Sequence, residues 1–128
     1  GCTGGVAAVR LRELLPDASI QVWEKARGAG GRYTTSRETV AGRELRADLG
    51  AQYASVDPKD ADSMAFMESL VKAGAAKLAN RKELEEIAER PASWRHYHGT
   101  AGQNGLVKAM MSKAKADVTF ERRVSKID

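Results

Sequence analysis

The chain has 128 residues, of which 42% are hydrophobic and 30% are charged, as expected for one soluble globular domain. Its net charge of +4 could attract nucleic acid or an anionic cofactor, but the basic residues are scattered and aromatic residues make up only 5%, so we expect no nucleic-acid partner. No apolar run approaches the roughly 20 residues of a membrane span, so we expect no membrane partner and a soluble protein, cytoplasmic by default.

The predicted elements of the first half alternate between helical and extended segments. Residues 4–15 place apolar side chains at helical spacing, and Pro16 ends that helix. Residues 19–24 alternate as a strand, and a glycine-rich loop follows over residues 25–37. Gly42 then marks a turn between two short extended stretches.

The second half begins with a helix start signal. Asp57 suits the N-cap and Pro58 the first position of a helix that Gly74 can close. A second, solvated helix is predicted over residues 80–90, with Glu86 and Arg90 as one of its surface ion pairs.

Strand, helix and strand complete the chain. Residues 93–98 alternate as a strand, and a helix follows over about 105–115. The sequence "DVTFERRVSKI" over residues 117–127 predicts a last strand with Val124 as one of its apolar positions. The order of elements predicts an α/β fold of the Rossmann type, in which crossover helices join parallel strands.

The glycines at the start fit half of a dinucleotide-binding motif. Gly1, Thr3 and Gly4 in "GCTGG" have the spacing of the second half of G-x-G-x-x-G, where a helix N-terminus meets a pyrophosphate. The fold places an acidic residue about 20 residues further on, where it binds ribose hydroxyls, and Glu24 stands at the end of the predicted strand. We expect the first strand and first glycine of this motif to precede Gly1, so that the fold is truncated there.

A second glycine motif follows directly in "VWEKARGAGGRYTTSR". Gly30 and Gly31 let the backbone run close to a ligand, and Arg32 supplies a planar cation for phosphate oxygens or a flavin carbonyl. Glu24 disfavours a 2′-phosphate by like-charge repulsion, which Lys25, another cofactor-binding candidate, would partly offset. The two motifs together are more specific than either alone.

The stretches "VWEKARGAGGRYTT", "ADLGAQY", "GQNGLVKAMM" and "VTFERRVSKI" resemble the renalase family of amine-oxidase-type FAD proteins over nearly the whole chain. The resemblance implies that Thr3 and Arg32 lie on the pyrophosphate side of FAD. It implies that Gln52 and Tyr53 line the flavin side and that the strand ending at Val124 approaches the adenine with its backbone.

The resemblance also implies an enzyme that oxidises a small substrate, a dihydronicotinamide or an amine, by hydride transfer to FAD, with oxygen as acceptor. Residues 1–56 and 99–128 would form the cofactor domain, and residues 57–98 a substrate-side insertion. We expect the C-terminal half of such a protein to be missing and the fragment alone to be inactive. The alternatives are a fragment of an NAD(P)-dependent dehydrogenase and a non-catalytic nucleotide-binding module.

Several other residues are more simply structural. His96 and His98 share one face of a strand, but no third ligand is near, so we expect satisfied or surface histidines rather than a metal pair. Cys2 fills a variable position of the glycine loop. The remaining candidates are core or packing residues: Met64, Met67, Met110, Met111, Trp23 and Trp94.

Overall fold

The computed structural model describes residues 1–84 and 90–126, which form three α-helices and seven strands. The helices are α1 (Cys2–Leu14), α2 (Ala61–Lys72) and α3 (Gln103–Lys113). The strands are β1 (Gln21–Trp23), β2 (Thr35–Val40), β3 (Arg43–Asp48), β4 (Ala54–Val56), β5 (Ala76–Leu78), β6 (Arg95–Gly99) and β7 (Asp117–Thr119). Single 3-10 turns lie at Gly31–Tyr33 and Arg81–Glu83.

A parallel pair formed by β1 and β7 confirms the α/β class. Val22 lies opposite Val118 in its register, and α3 packs beside α1 on the crossover that leads into β7. The last strand was predicted to run through Val124, and this is wrong, because β7 ends at Thr119. Glu121 takes a left-handed conformation with φ 57°, and its N–H donates to the carbonyl of Ala26, so the chain folds over the loop after β1.

The strand predicted over residues 93–98 exists as β6, but its partners are antiparallel. It lies between β4 and β5 in a three-stranded sheet that α2 contacts through β5. The expectation that parallel strands joined by helices build the whole fold is therefore wrong for this sheet. β4 and β5 have three residues each, which is too short for an alternating pattern to show in the sequence.

The turn predicted at Gly42 is confirmed. Ala41 and Gly42 both have positive φ, 49° and 75°, which matches the right-handed twist of the hairpin formed by β2 and β3. The glycine-rich loop is shorter than predicted, because Thr35 already pairs with Asp48 at the base of this hairpin.

Helix α2 starts three residues later than the sequence predicted. Asp60, not Asp57, is the N-cap, since its Oδ1 accepts the backbone N–H of Ser63 at 3.0 Å. Asp57 instead accepts the N–H of Lys59 at 3.0 Å within the preceding turn. The closing glycine is confirmed, because Gly74 follows the helix with φ 72°.

The helix predicted over residues 80–90 does not begin as expected. Asn80 caps only a 3-10 turn, its Oδ1 accepting the N–H of Lys82 at 3.1 Å, and Leu84 after it is extended. Glu86 lies outside the described residues, so the predicted pair with Arg90 is not tested.

All three helices and the sheet of β4, β5 and β6 contribute to the core. Gly5 of α1 lets α3 approach closely, because a Cβ there would lie 2.8 Å from the Sδ of Met110. The buried apolar residues are Ala8, Val9, Ile20, Val56, Met67, Leu70, Ala76, Tyr97, Leu106, Val107, Met110, Met111 and Ala114. Three of the four methionines predicted as core residues are in this set, and Met64 packs against it.

The N-terminus of α3 is capped by the base of the hairpin. Its N-cap residue, Gly102, has no side chain to do so. Asp48 Oδ1 accepts the N–H of Gln103 at 2.9 Å and the hydroxyl of Thr35 at 2.6 Å, and that hydroxyl accepts the N–H of Asn104 at 3.1 Å. These bonds fix β3, and hence the segment after it, against α3.

Replacing Asp48 by alanine should therefore lower the free energy of unfolding by about 1–2 kcal/mol, the cost of losing a helix cap. Urea unfolding followed by circular dichroism measures this. Glu44→Ala is the control, since Glu44 pairs with Arg46 on the exposed part of the hairpin and should change stability by less than about 1 kcal/mol. Equal stability losses in both variants would contradict the capping role.

Candidate dinucleotide site

The N-terminus of α1 forms the floor of the site. Gly1 is its N-cap, without a side-chain cap, and the first intrahelical bond runs from Gly5 N–H to the carbonyl of Gly1. The amides of Cys2, Thr3 and Gly4 therefore point out of the helix with no partner in it. No acidic residue stands in the first turn, so the positive end of the helix dipole is open to an anion.

The two glycine loops meet at this helix. A Cβ on Gly31 would lie 3.3 Å from the Cα of Gly1, and the residue has φ 57°, so glycine allows this close approach without crowding or backbone strain. The contact places Arg32 next to the first turn of α1. Together the loops line a cleft of about 850 Å³, a volume typical of cofactor sites. Its lining residues are Gly1, Cys2, Thr3, Gly4, Gly31, Arg32, Tyr33, Gly50 and Ala51.

Glu24 directly follows β1 and lies beside Gly1, one of the residues that line the cleft. Its Oε2 is 3.6 Å from the nitrogen of Gly1, and its Oε1 accepts the N–H of Ala26 at 3.0 Å. The side chain is only 16% exposed, so the carboxylate is held in one place rather than free in solvent. The carboxylate, the amides of α1 and Arg32 thus offer a negative group at one end and positive groups beside it.

Close backbone contacts fix the shape of the cleft. Gly30 is buried with φ 149°, and a Cβ there would lie 3.1 Å from the carbonyl oxygen of Tyr33. Gly50 lies against Arg32, and the N–H of Ala51 donates to the carbonyl of Arg32 at 2.8 Å. The segment after β3 is thereby tied to the second glycine loop.

An adjoining pocket of about 530 Å³ opens from the cleft. The two share Tyr33, Gly50 and Ala51. The pocket also brings together Gln52, which is exposed, and Tyr53, which is half-buried, with Ala54, Ser55, Arg90 and Trp94. The guanidinium of Arg90 lies 5.7 Å from the ring centre of Trp94, within the range of a cation–π contact.

Tyr33 stands between the cleft and the pocket. Burial, followed by the charge and hydrogen bond of Cys2, raises the pKa of its phenol. The phenol therefore stays protonated at neutral pH and can act as a hydrogen-bond donor. Cys2 is half-buried at this position and is the first residue of α1.

The structure gathers most of the predicted cofactor residues around these two spaces. Four of the predicted residues do not line either space: Glu24, Lys25, Gly30 and Val124. Glu24 lies beside Gly1, and Gly30 is buried next to Gly31. Lys25 is exposed in the loop after β1, and Val124 is 49% exposed beyond the end of β7. Because Val124 is not in a strand, its predicted backbone approach to an adenine loses the geometry on which it was based.

Sequence reasoning missed Arg90 and Trp94 as pocket residues. Trp94 precedes β6, and its place beside Arg90 depends on the fold of the intervening chain, for which the sequence carries no short motif. Trp23, also expected to be a packing residue, is 54% exposed with the Arg122 guanidinium 5.9 Å from its ring centre.

The histidines do not form a metal site with other described residues, among which no cluster of three potential ligands occurs. His96 is buried and both of its ring nitrogens have hydrogen-bond partners, as expected for a satisfied histidine.

In the part of the chain that the structure describes, no helix has the length and apolarity needed to cross a bilayer.

A family model described as an NAD(P)-binding Rossmann-like domain matches residues 1–70, more than half of the chain. The match spans α1, β1, both glycine loops and Glu24, which are the parts that build the cleft. Such domains occur in FAD-dependent oxidoreductases and bind dinucleotide cofactors of the NAD(P) or FAD type. The chain therefore belongs to the NAD(P)-binding Rossmann-like domain family.

Proposed function

We propose that this chain is the cofactor-binding part of an FAD-dependent oxidoreductase of the renalase-like, amine-oxidase class. The observation that carries the proposal is the backbone contact between Gly1 and Gly31, which brings a second glycine loop and Arg32 into the dinucleotide cleft. An NAD-binding domain requires only the first glycine loop and the acidic residue. The second loop supports a larger dinucleotide that also needs contacts beyond the pyrophosphate.

The proposal assigns groups in and beside the cleft to successive parts of FAD. Glu24 would accept hydrogen bonds from the ribose hydroxyls, and the amides of Thr3 and Gly4 at the N-terminus of α1 would hold the pyrophosphate. Arg32 would neutralise the same phosphates from the other side. Gln52 and Tyr53 would then border the flavin end, in the pocket that continues from the cleft.

The bound FAD would supply the redox chemistry, as acceptor of a hydride from a dihydronicotinamide or an amine and donor of electrons to oxygen. The residues of this chain would bind and orient both molecules. The aromatic rings of Tyr53 and Trp94 suit a planar substrate, and the positive charge of Arg90 favours an anionic dihydronicotinamide nucleotide over an amine cation. Residues 57–98, which supply Arg90 and Trp94, would be the substrate-side segment.

The second candidate is an NAD(P)-dependent dehydrogenase. The description of the matched family favours it, and so do the cations beside Glu24. Lys25 and Arg27 follow Glu24 in the chain. The backbone N–H of Arg122 donates to the carbonyl of Glu24 at 2.9 Å, so a third cationic residue lies next to Glu24. A non-catalytic nucleotide-binding module is the third, and it would bind a dinucleotide without turning over any reductant.

The test uses the full-length protein, purified without added cofactor and then reconstituted with FAD. We expect the visible absorption bands of a bound flavin and their bleaching by a dihydronicotinamide under anaerobic conditions. Arg32→Ala should weaken the flavin signal, whereas Arg43→Ala, an exposed arginine of the hairpin, should leave it unchanged. A protein that stays colourless with FAD but binds NADH or NADPH would contradict the proposal and support the dehydrogenase.

A further inference from the structure

His96 of β6 is buried beneath the adjoining pocket, with 2% of its surface exposed. Its Nε2 lies 3.2 Å from Nη1 of Arg81, and its Nδ1 lies 3.0 Å from the hydroxyl of Ser55. A guanidinium can only donate, so Nε2 must be the unprotonated acceptor. Nδ1 then carries the proton of a neutral imidazole and donates it to Ser55.

Arg81 also holds the chain segment that forms the outer wall of the pocket. Its Nη2 donates to the carbonyl of Arg90 at 2.7 Å and its Nη1 to the carbonyl of Pro91 at 3.2 Å. The N–H of Trp94 donates to the same Pro91 carbonyl at 3.0 Å, closing a turn. The wall made by Arg90 and Trp94 is therefore attached to β6 through Arg81.

The inner wall rests on the same imidazole. Ser55 of β4 lines the pocket and is bonded to Nδ1. Tyr53 packs the edge of its ring against His96, with ring centres 5.4 Å apart. One buried ring thus contacts both walls, one directly and the other through a guanidinium.

We propose that His96 is a positioning residue that holds the wall formed by Arg90 and Trp94 in place while it is neutral and releases this wall when it is protonated. The proposal rests on the proposed function only in taking the pocket as the substrate end of the site. A proton on Nε2 would turn the acceptor into a donor facing Arg81 and place two positive charges side by side. The bond would be lost, and with it one of the anchors of the wall.

The surroundings of the ring favour the neutral form. Burial, followed by the positive charges of Arg81 and Arg90, lowers the pKa of His96. On the β4 side the ring contacts the hydroxyl of Ser55 and the aromatic ring of Tyr53. The neutral form is therefore fully populated above the ordinary histidine range and is lost as the pH falls below it.

The experiment follows the fluorescence of Trp94 in the full-length protein carrying Trp23→Phe, which removes the exposed second tryptophan of the described chain. Further tryptophans in the full-length protein, where present, are replaced by phenylalanine in the same background. Acrylamide, an uncharged quencher, reports how open the wall is at each pH. We expect the quenching constant to rise on the order of twofold as the pH falls through and below the range in which histidines titrate. His98→Gln, the control, should keep this step, and His96→Gln should abolish it.

Arg81→Lys keeps the positive charge but cannot bond to His96 and to the carbonyls of Arg90 and Pro91 at the same time as the planar guanidinium does. It should therefore raise the quenching constant at every pH and reduce its rise at low pH. A parent protein without the step, or a step that persists in His96→Gln, would overturn the proposal. Circular dichroism shows whether each variant is folded. If His96→Gln is not folded, the test falls to Arg81→Lys. The proposal would then be overturned if the pH dependence of quenching in Arg81→Lys were the same as in the parent protein. No ligand is needed, so this result is independent of whether the cleft binds FAD.

Discussion

Replacing Glu24 by glutamine should weaken the binding of FAD to the full-length apoprotein by about 10- to 100-fold. Hydrogen bonds to a charged acceptor contribute about 1.5–3 kcal/mol, and every 1.4 kcal/mol is a factor of ten in affinity. The amide is nearly the same size, and it keeps one oxygen to accept the N–H of Ala26, so the loop after β1 should stay in place. Only the negative charge, which the proposed site directs at the ribose hydroxyls, is removed.

Isothermal titration calorimetry measures this change directly. Glu38→Gln is the matched control, because Glu38 is exposed on β2 and should leave the affinity unchanged. The same titrations with NADP⁺ separate the two enzyme classes, since loss of the negative charge should strengthen binding of a 2′-phosphate beside Lys25 and Arg27. An FAD affinity within twofold of the parent would show that Glu24 does not bind the ribose.

Replacing Gly50 by alanine should lower the free energy of unfolding by about 3 kcal/mol, the upper part of the usual range for overpacking. The Cβ would overlap the carbonyl oxygen of Arg32, to which Ala51 also donates a hydrogen bond. A backbone carbonyl cannot rotate away as the end of a side chain can. The segment after β3 must therefore separate from the second glycine loop, which would also widen the cleft and weaken binding of the dinucleotide.

Gly28→Ala is the control for this substitution. Gly28 is exposed in the same glycine-rich loop, and nothing lies within 4 Å of a Cβ placed on it. We expect a change in stability of at most about 0.5 kcal/mol, as for surface substitutions in general. Urea unfolding of both variants, with FAD titration of the folded state, provides the comparison. A Gly50→Ala protein as stable as Gly28→Ala would mean that the segment after β3 does not contact the second glycine loop at Arg32.

Local signals in the sequence predicted the parts of the site that form within one short segment. The glycines around α1, a strand leading to Glu24 and the Gly30-Gly31-Arg32 loop were each visible as residue patterns. The structure has α1 and a strand at these places, although β1 is shorter than predicted and ends at Trp23, and the second glycine loop contains a 3-10 turn. The helix start at Asp57 failed for a local reason: two aspartates compete as caps, and only Asp60 has Ser63 three residues later to donate back to it.

The other predictions that failed depended on contacts between segments that are distant in the sequence. The predicted extension of the final strand beyond Thr119 was wrong because the N–H groups of Glu121 and Arg122 bond to the carbonyls of Ala26 and Glu24. The antiparallel sheet was missed because pairing direction depends on which strand edges are available, and strands of three residues carry no pattern for it.

By itself the sequence determined the class of the protein, because a glycine turn, a helix N-terminus and an acidic strand end must follow one another at fixed spacing to bind a dinucleotide. Only the tertiary structure decided how the cleft continues. The contact of Gly31 with Gly1 joins residues 30 positions apart, and the hydrogen bonds of His96 to Ser55 and to Arg81 join residues 41 and 15 positions apart. Such contacts leave no periodicity or short motif, since they depend on the packing of elements that the chain forms separately.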